Sequence, residues 1–322
     1  MRILVTGGMG FIGHNVVAQL ELMGYDDITL VDNFDNYGSI PDHELSALIS
    51  ERQCEISSVN YIYNVARPEL ETAFKANQPD LVIHLASFPR QKVVNANPTL
   101  AADTMMKGLL NICELSCKYK VKRLVYVSSS MVYGDYYDGT DEYAFCKPQG
   151  QYAIMKLAGE QLVRDYGHKG CFDYTIVRPS AVYGPRDVED RVVSKFFMAA
   201  MRDEVLKVNG KDEKIDFTYV TDTASGIIQA SLSPRAAFRT YNITYGESRT
   251  LLEAAEMITK IVGKGRVEVA HKSEDYPSRG TLNINAARRD FDYKPIINIE
   301  EGFKRYYDYL QNSPFWSSKT VR

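Results

Sequence analysis

Cysteine is scarce in this chain: five residues among 322, at positions 54, 113, 117, 146 and 171, with no CxxC pair. An odd count without paired spacing gives no disulfide framework or zinc site, and Cys113 and Cys117, four apart on an expected helix, are read as core or surface thiols. No metal centre is expected. Long apolar runs are missing too, and none approaches the roughly 20 residues that a helix needs to cross a bilayer. Glycines interrupt the first apolar stretch and no small-residue cleavage site follows, so no secretory signal is expected. Basic runs are absent and the formal net charge is −3, which points away from nucleic acid and anionic membranes. With 45% apolar and 25% charged residues, the chain is expected to be globular and to work in a reducing, cytoplasmic setting.

Glycine, by contrast, is concentrated at the start. The apolar run Arg2 to Thr6 leads into Gly7-Gly8-Met9-Gly10-Phe11-Ile12-Gly13, and Val16, Val17 and Leu20 follow at helical spacing. Strand, tight turn and helix are expected in that order. Glycines in such a turn let backbone N–H groups approach a pyrophosphate at a helix N-terminus, where the helix dipole favours negative charge. A second strand, Ile28 to Val31, ends in Asp32, nineteen positions after Gly13, where an acid can bind the adenosine ribose hydroxyls. No Lys or Arg follows until Arg52, so a 2′-phosphate would meet Asp32 and Asp35 without a cation. NAD is therefore expected rather than NADP.

Strand and helix then alternate. Tyr61 to Tyr63 reads as a strand, Pro68 to Ala76 as a helix, and Leu81 to Ala86 as a buried parallel strand. One long helix is expected over Thr99 to Tyr119, a strand over Arg123 to Ser128, a helix over Tyr152 to Tyr166, and a strand over Tyr174 to Arg178. Between the second strand and that at Tyr61 a short helix is expected around His43 to Glu51. The pattern implies an α/β fold, a Rossmann-type doubly wound parallel sheet, with ligands at the carboxyl ends of the strands. Beyond about residue 180 the rhythm changes. Helices at Val192–Arg202, Glu253–Val262 and Gly302–Leu310 alternate with short extended pieces such as Phe217 to Val220 and Arg239 to Ile243. The division expected is 1–180 for the cofactor domain and 181–322 for a smaller mixed α/β substrate lobe, with some segments returning to the first. Residues from Ser317 onward are expected to be loose.

Tyr152-Ala153-Ile154-Met155-Lys156 places a phenol and an ammonium on one helix face. Positive charge nearby lowers a phenol's pKa, so Tyr152 can take a proton from a carbinol while hydride leaves its carbon. The strand ending in Ser128-Ser129-Ser130-Met131-Val132-Tyr133-Gly134 supplies hydroxyls that can orient the same carbinol.

These segments, with Asp80 to Ala86, Arg178-Pro179-Ser180-Ala181-Val182-Tyr183-Gly184-Pro185 and Asp216 to Asp222, follow one another in order. Together they resemble the extended short-chain dehydrogenase/reductase superfamily, most closely its NAD-dependent nucleotide-sugar epimerase/dehydratase branch. The resemblance implies that Ser129, Tyr152 and Lys156 are catalytic. It implies a pyrophosphate loop of Gly7, Gly10, Phe11, Ile12 and Gly13, and an adenosine ribose site at Asp32 and Asn33. Asn64 and Val65 fall on the adenine side; Leu85, Ala86, Ser87, Val127 and Pro179 fall on the nicotinamide side. Ser129, Ser130, Arg90, Arg186 and Arg279 are the implied substrate contacts, with Arg279 gripping a diphosphate. A homodimer through Thr99–Tyr119 and Tyr152–Tyr166 is implied as well. His84 reads as a core residue and His14 as a weak neighbour of the phosphates.

Departures from the family pattern narrow the chemistry. The dehydratase and decarboxylase positions for Asp and Glu hold Ser130 and Met131, which leaves oxidation and reduction at one carbon. An expected Arg before Asp216 is Ile215, for which Lys214 or Lys211 could substitute; an expected Asn is Ala181, and another is Met105. The leading expectation is an NAD-dependent epimerase of a nucleotide-activated sugar that passes through a keto intermediate at C4. A net dehydrogenase or ketoreductase is the alternative, and a non-catalytic dinucleotide sensor is the rival from another class. Asp32→Ala is expected to erode the preference for NAD over NADP by about tenfold, the worth of a charge-assisted hydrogen bond. Titration with both dinucleotides measures it, and an unchanged preference would remove the assignment.

Overall fold

A computed structural model of the chain describes residues 1–35, 37, 40–272 and 277–318. Seven strands form one parallel sheet: β1 Ile3–Thr6, β2 Ile28–Asp32, β3 Val59–Ile62, β4 Leu81–His84, β5 Arg123–Val127, β6 Asp173–Pro179 and β7 Arg239–Ile243. Their spatial order is β7-β6-β5-β4-β1-β2-β3. β1 pairs with β2 on one side (Ile3 opposite Ile28) and with β4 on the other (Ile3 opposite Leu81). The order reverses there, and such a reversal opens a crevice at the strands' carboxyl ends. β1 and β4 are buried at every position, as a sheet covered by helices on both faces requires.

The helix after β2 is longer than its polar sequence suggests, Asp42–Gln53. The expected single helix over 99–119 is interrupted: a π-helical turn at Asp103–Lys107 separates Pro98–Ala102 from Gly108–Lys118. A Cβ on Gly108 would come 2.6 Å from Cγ2 of Val65, so the helix presses close where the glycine sits.

The largest difference is a helix at Val220–Leu232, where only an extended piece ending at Val220 is expected. Thr221, Thr223, Gly226 and Ser231 give it weak intrinsic helicity, and burial overrides that weakness. It packs against the first helix, Phe11–Leu22, and delivers β7 to the sheet edge beside β6. Residues 220–243 thus lie with the sheet. Ile284, Ala287 and Tyr293 pack with the sheet as well, while much of the remaining second half forms another core, in which Phe197 and Phe303 pack with Tyr306 and Trp316. The helix Leu251–Val262 starts at a capping box formed by Thr250 and Glu253 and ends at Gly263, whose φ is +75°. Among the last residues, Pro314–Ser318 is a helical turn, and 319–322 lie outside the described residues.

The thiol reading needs one correction. Cys117, at the end of helix Gly108–Lys118, and Cys171, ahead of β6, form a disulfide across 54 residues, with Cα atoms 4.7 Å apart. Their proximity comes from packing and has no signature in spacing.

Helix Gln151–His168 is clamped to the sheet by a buried ion pair. Glu160, with no exposed surface, accepts from Nε and Nη2 of Arg178 at 2.9 and 2.7 Å, from the Ser128 hydroxyl at 2.7 Å and from Arg164 at 3.1 Å. Burial alone would raise its carboxyl, but Arg178 outweighs it and holds the pKa below the usual range. Glu160→Ala would leave Arg178 buried without a counter-charge and is expected to cost about 3–5 kcal/mol in denaturant unfolding. Because the folded carboxyl is the stronger acid, this contribution is complete above the unfolded value near about 4.3 and fades as pH falls. The gap between wild type and variant should close in acid; a loss under about 1 kcal/mol at neutral pH would count against the clamp.

Candidate active site

The turn after β1 is tight because it must be. Gly7 has φ +71°, and a Cβ there would lie 2.7 Å from the Ala86 nitrogen, while one on Gly13 would collide with the Gly7 carbonyl. Backbone therefore runs against backbone, and the helix that begins after Gly10 points its N-terminus into the crevice. Asp32, at the end of β2, accepts from the Met9 N–H at 3.0 Å and the Phe34 N–H at 2.8 Å. Burial raises its pKa, and those two hydrogen bonds and then Arg52 oppose the rise.

A cavity of about 290 Å³ lies over this turn. All the residues expected at the cofactor line it: Gly7, Gly10, Phe11, Ile12, Gly13, Asp32, Asn33, Asn64, Val65, Leu85, Ala86, Ser87, Val127, Tyr152, Lys156 and Pro179. Asn64 is turned to its own backbone, accepting from the Ala66 N–H at 2.8 Å. A larger cavity of about 760 Å³ adjoins the first and reaches into the lobe, lined by Ser129, Ser130, Arg90 and Arg279 among others. The two share a wall of eight residues that includes Ser129 and Tyr152.

Ser129 and Tyr152 belong to that wall, and Lys156 lines the smaller cavity beside them. Tyr152 and Lys156 stand one turn apart, with the Lys156 ammonium 5.9 Å from the Tyr152 ring centroid. Lys156 donates to the Val127 carbonyl at 2.8 Å, and burial pulls its pKa down to about 7 against the opposing charge of Glu160. Ser129 caps the short 3₁₀ turn Ser130–Tyr133, its hydroxyl accepting from the Met131 N–H at 3.2 Å. The phenol behaves differently from the sequence expectation. Burial pushes the Tyr152 pKa up, and the groups that pull it back are the Ser129 hydroxyl and then the Arg191 guanidinium.

Other expectations are corrected by position. Arg186 lines neither cavity; it pairs with Glu55 and lies over the Tyr309 ring at 5.9 Å. Lys214 is held 2.7 Å from Asp138, and neither it nor Lys211 lines the substrate cavity, where Lys207 and Lys272 stand instead. His14 is drawn down to about 3 by burial and then Arg52, and its Nδ1 lies 2.9 Å from the Gly10 carbonyl, a neutral structural contact. His84, also lowered to about 3 by burial, is 2.6 Å from the Thr6 hydroxyl in the sheet. Among the described residues no group of three or more His, Cys, Asp or Glu side chains could hold a metal.

Two cations stand at the cofactor cavity without having been expected there. Helix Asp42–Gln53 returns Arg52 to the glycine turn, where it donates to the Met9 carbonyl at 3.0 Å and the Arg186 carbonyl at 2.7 Å. The region of Asp32 is thus not free of positive charge, although both carbonyls engage this guanidinium. Arg191 lies 5.6 Å from the Phe11 ring and pairs with buried Asp187 at 2.9 Å. Nothing in spacing marks either residue for that place.

Residues 3–244 match the NAD dependent epimerase/dehydratase family. A UDP-glucuronate 4-epimerase of Thermodesulfobacterium geofontis is 28% identical, the alignment covering 94% of each chain. A UDP-glucose 4-epimerase of Thermotoga maritima, solved with UDP-glucose, superposes with a TM-score of 0.85 at 26% identity, covering 97% of this chain and 99% of that one. The corresponding Thermus thermophilus enzyme, solved with NAD, gives 0.84 at 25% identity over 97% and 99%. The glycine turn, the acid that closes β2 and the Ser129–Tyr152–Lys156 group stand in order within the matched residues, and this chain belongs to the NAD-dependent epimerase/dehydratase family.

Proposed function

We propose that this chain is an NAD-dependent 4-epimerase of a nucleotide-activated sugar. The observation that carries the reading is that Ser129 and Tyr152 line the wall shared by two adjoining cavities, with Lys156 on the side of the first. NAD fits the first cavity, since Gly7 and Gly13 let the turn close backbone against backbone and bring the helix N-terminus to it, and Asp32 lines it. Bound there, it supplies a hydride acceptor that returns the hydride to the same carbon. Tyr152 takes the proton of the C4 hydroxyl and later gives it back; Ser129 orients that hydroxyl. Lys156, fixed on the Val127 carbonyl, holds positive charge beside the phenol. Met131 and Ser130 stand where an elimination would need an acid or base, so proton traffic stays at one oxygen. Arg279 grips the diphosphate from the lobe side of the larger cavity.

The same reading assigns 1–180 to cofactor binding, with 220–243 joining it, and the rest of 181–322 to the substrate. It includes a homodimer through helices Gly108–Lys118 and Gln151–His168, where Leu110 and Ile154 expose apolar surface that pairing would cover. A cytoplasmic setting belongs to it too; no described helix is long and apolar enough to cross a membrane.

Tyr152→Phe should lower turnover of a UDP-hexose by about 10²–10⁴-fold while NAD stays bound, read by NMR of the sugar and native mass spectrometry. A variant that keeps most of its turnover would sink the assignment. Steady conversion of free NAD to NADH during wild-type turnover would favour the dehydrogenase instead.

A further inference from the structure

Arg279, assigned above to the diphosphate, stands on irregular backbone. Residues 277–284 lie outside every helix and sheet, with one isolated bridge from Leu282 to Thr140. An arginine grips an anion well only where its backbone is held in place beforehand. Most of the holding comes from the segment that follows Ser129 and its short turn Ser130–Tyr133. The Tyr136 N–H donates to the Ser278 carbonyl at 3.0 Å, the Gly139 N–H to the Thr281 carbonyl at 2.8 Å, and the Asn283 N–H to the Thr140 carbonyl at 2.8 Å. Two carboxylates add to these. Asp135 accepts from the Ser278 N–H at 2.7 Å, and Asp138 from the Thr281 N–H at 2.8 Å. Arg279 and Gly280 are thus bracketed by Ser278 and Thr281, each fastened through both its N–H and its carbonyl.

Gly280 lets the two segments lie this close. It is buried, and a Cβ on it would come 2.5 Å from the Asp138 nitrogen and 2.5 Å from the Tyr137 carbonyl carbon. Both are backbone atoms, which cannot turn aside as a side chain can. Non-bonded carbon atoms settle at about 3.5–4.0 Å, so a methyl group there would drive the segments apart by about 1 Å. The near segment is anchored by buried Tyr133, whose hydroxyl donates to Asn242 at 2.8 Å, so the displacement falls on the segment that carries Arg279. Neither Gly280 nor Arg279 lines the smaller cavity, whereas Ser129 and Tyr152 line both. The room at 280 therefore bears on the substrate and not on the cofactor.

We propose that Gly280 is a positioning residue: its bare backbone sets how far the Arg279 guanidinium stands from Ser129 and Tyr152, and so where a nucleoside diphosphate is held while C4 of its sugar faces the phenol. This rests on the epimerase reading above and adds a residue that touches neither substrate nor cofactor. A shift of about 1 Å is enough to spoil the alignment of a bound group with its donors. Proton transfer at Tyr152 and the binding of NAD do not depend on Gly280.

The test is a double-mutant cycle on the purified, NAD-bound protein, with UDP as the ligand in calorimetry. Gly280→Ala should weaken UDP by about tenfold, the worth of one charge-assisted hydrogen bond, and Arg279→Met by at least as much. The double variant should bind UDP no more weakly than Arg279→Met, because an arginine that is absent cannot be misplaced. With a UDP-hexose, Gly280→Ala should raise KM in parallel while kcat stays within about threefold of wild type. Native mass spectrometry should find its NAD content unchanged. If Gly280→Ala does not fold, Asp138→Ala, at a carboxylate 54% exposed, must show the same pattern at smaller size. Unchanged UDP affinity, losses that multiply in the double variant, or NAD lost alongside UDP would each overturn the inference and leave the epimerase standing. Wild type that binds no UDP would overturn the nucleotide-sugar reading itself.

Discussion

The hydrogen bond from Lys156 to the Val127 carbonyl, 2.8 Å long, ties a helix to the carboxyl end of a central strand, and the site is arranged around that tie. One residue further along the strand, the Ser128 hydroxyl reaches Glu160, one turn further along the helix. Two consecutive backbone positions thus fix two consecutive turns, and Arg178 on the neighbouring strand closes the arrangement from the other side. The rotation and height of helix Gln151–His168 follow, and with them the place of Tyr152. A phenol on a helix free to slide by one residue would move about 1.5 Å along the axis, enough to lose a proton-transfer geometry.

The same tie sets the electrostatics. Burial would strip Lys156 of its proton near neutral pH, and Glu160 opposes that from one turn away. One N–H of the ammonium goes to a carbonyl, and the groups that relieve the buried phenol are Ser129 and Arg191. Charge in this site is delivered by residues far apart in the chain. Arg52 arrives on the helix after β2, Arg90 on the segment after β4, and Arg191 just before a helix of the lobe. Each is paired with a carbonyl or an acid before any ligand enters, which fixes its fork in advance.

What local chemistry demands was open to reading. The glycine turn, the acid that closes β2, the strand that ends in hydroxyls and the four-residue spacing of Tyr152 and Lys156 are each dictated by sterics or helix period over a few residues. Helix Val220–Leu232 was not legible, because its small and β-branched residues carry little helical preference and its stability comes from the surface it buries on the first helix. The π-helical turn at Asp103–Lys107 was hidden for a related reason: it occurs where the helix passes close over Val65, a contact made by distant residues.

The sequence by itself determined the parallel sheet, the glycine turn and the four-residue spacing that puts Tyr152 and Lys156 on one helix face, since periodicity and backbone sterics act between near neighbours. Only the tertiary structure decided that Cys117 meets Cys171, that Arg186 turns away to Glu55, and that Arg52 and Arg191 stand at the cofactor cavity. Such contacts depend on how elements pack, and Coulombic and dispersion forces act on distance in space, which spacing along a chain does not record.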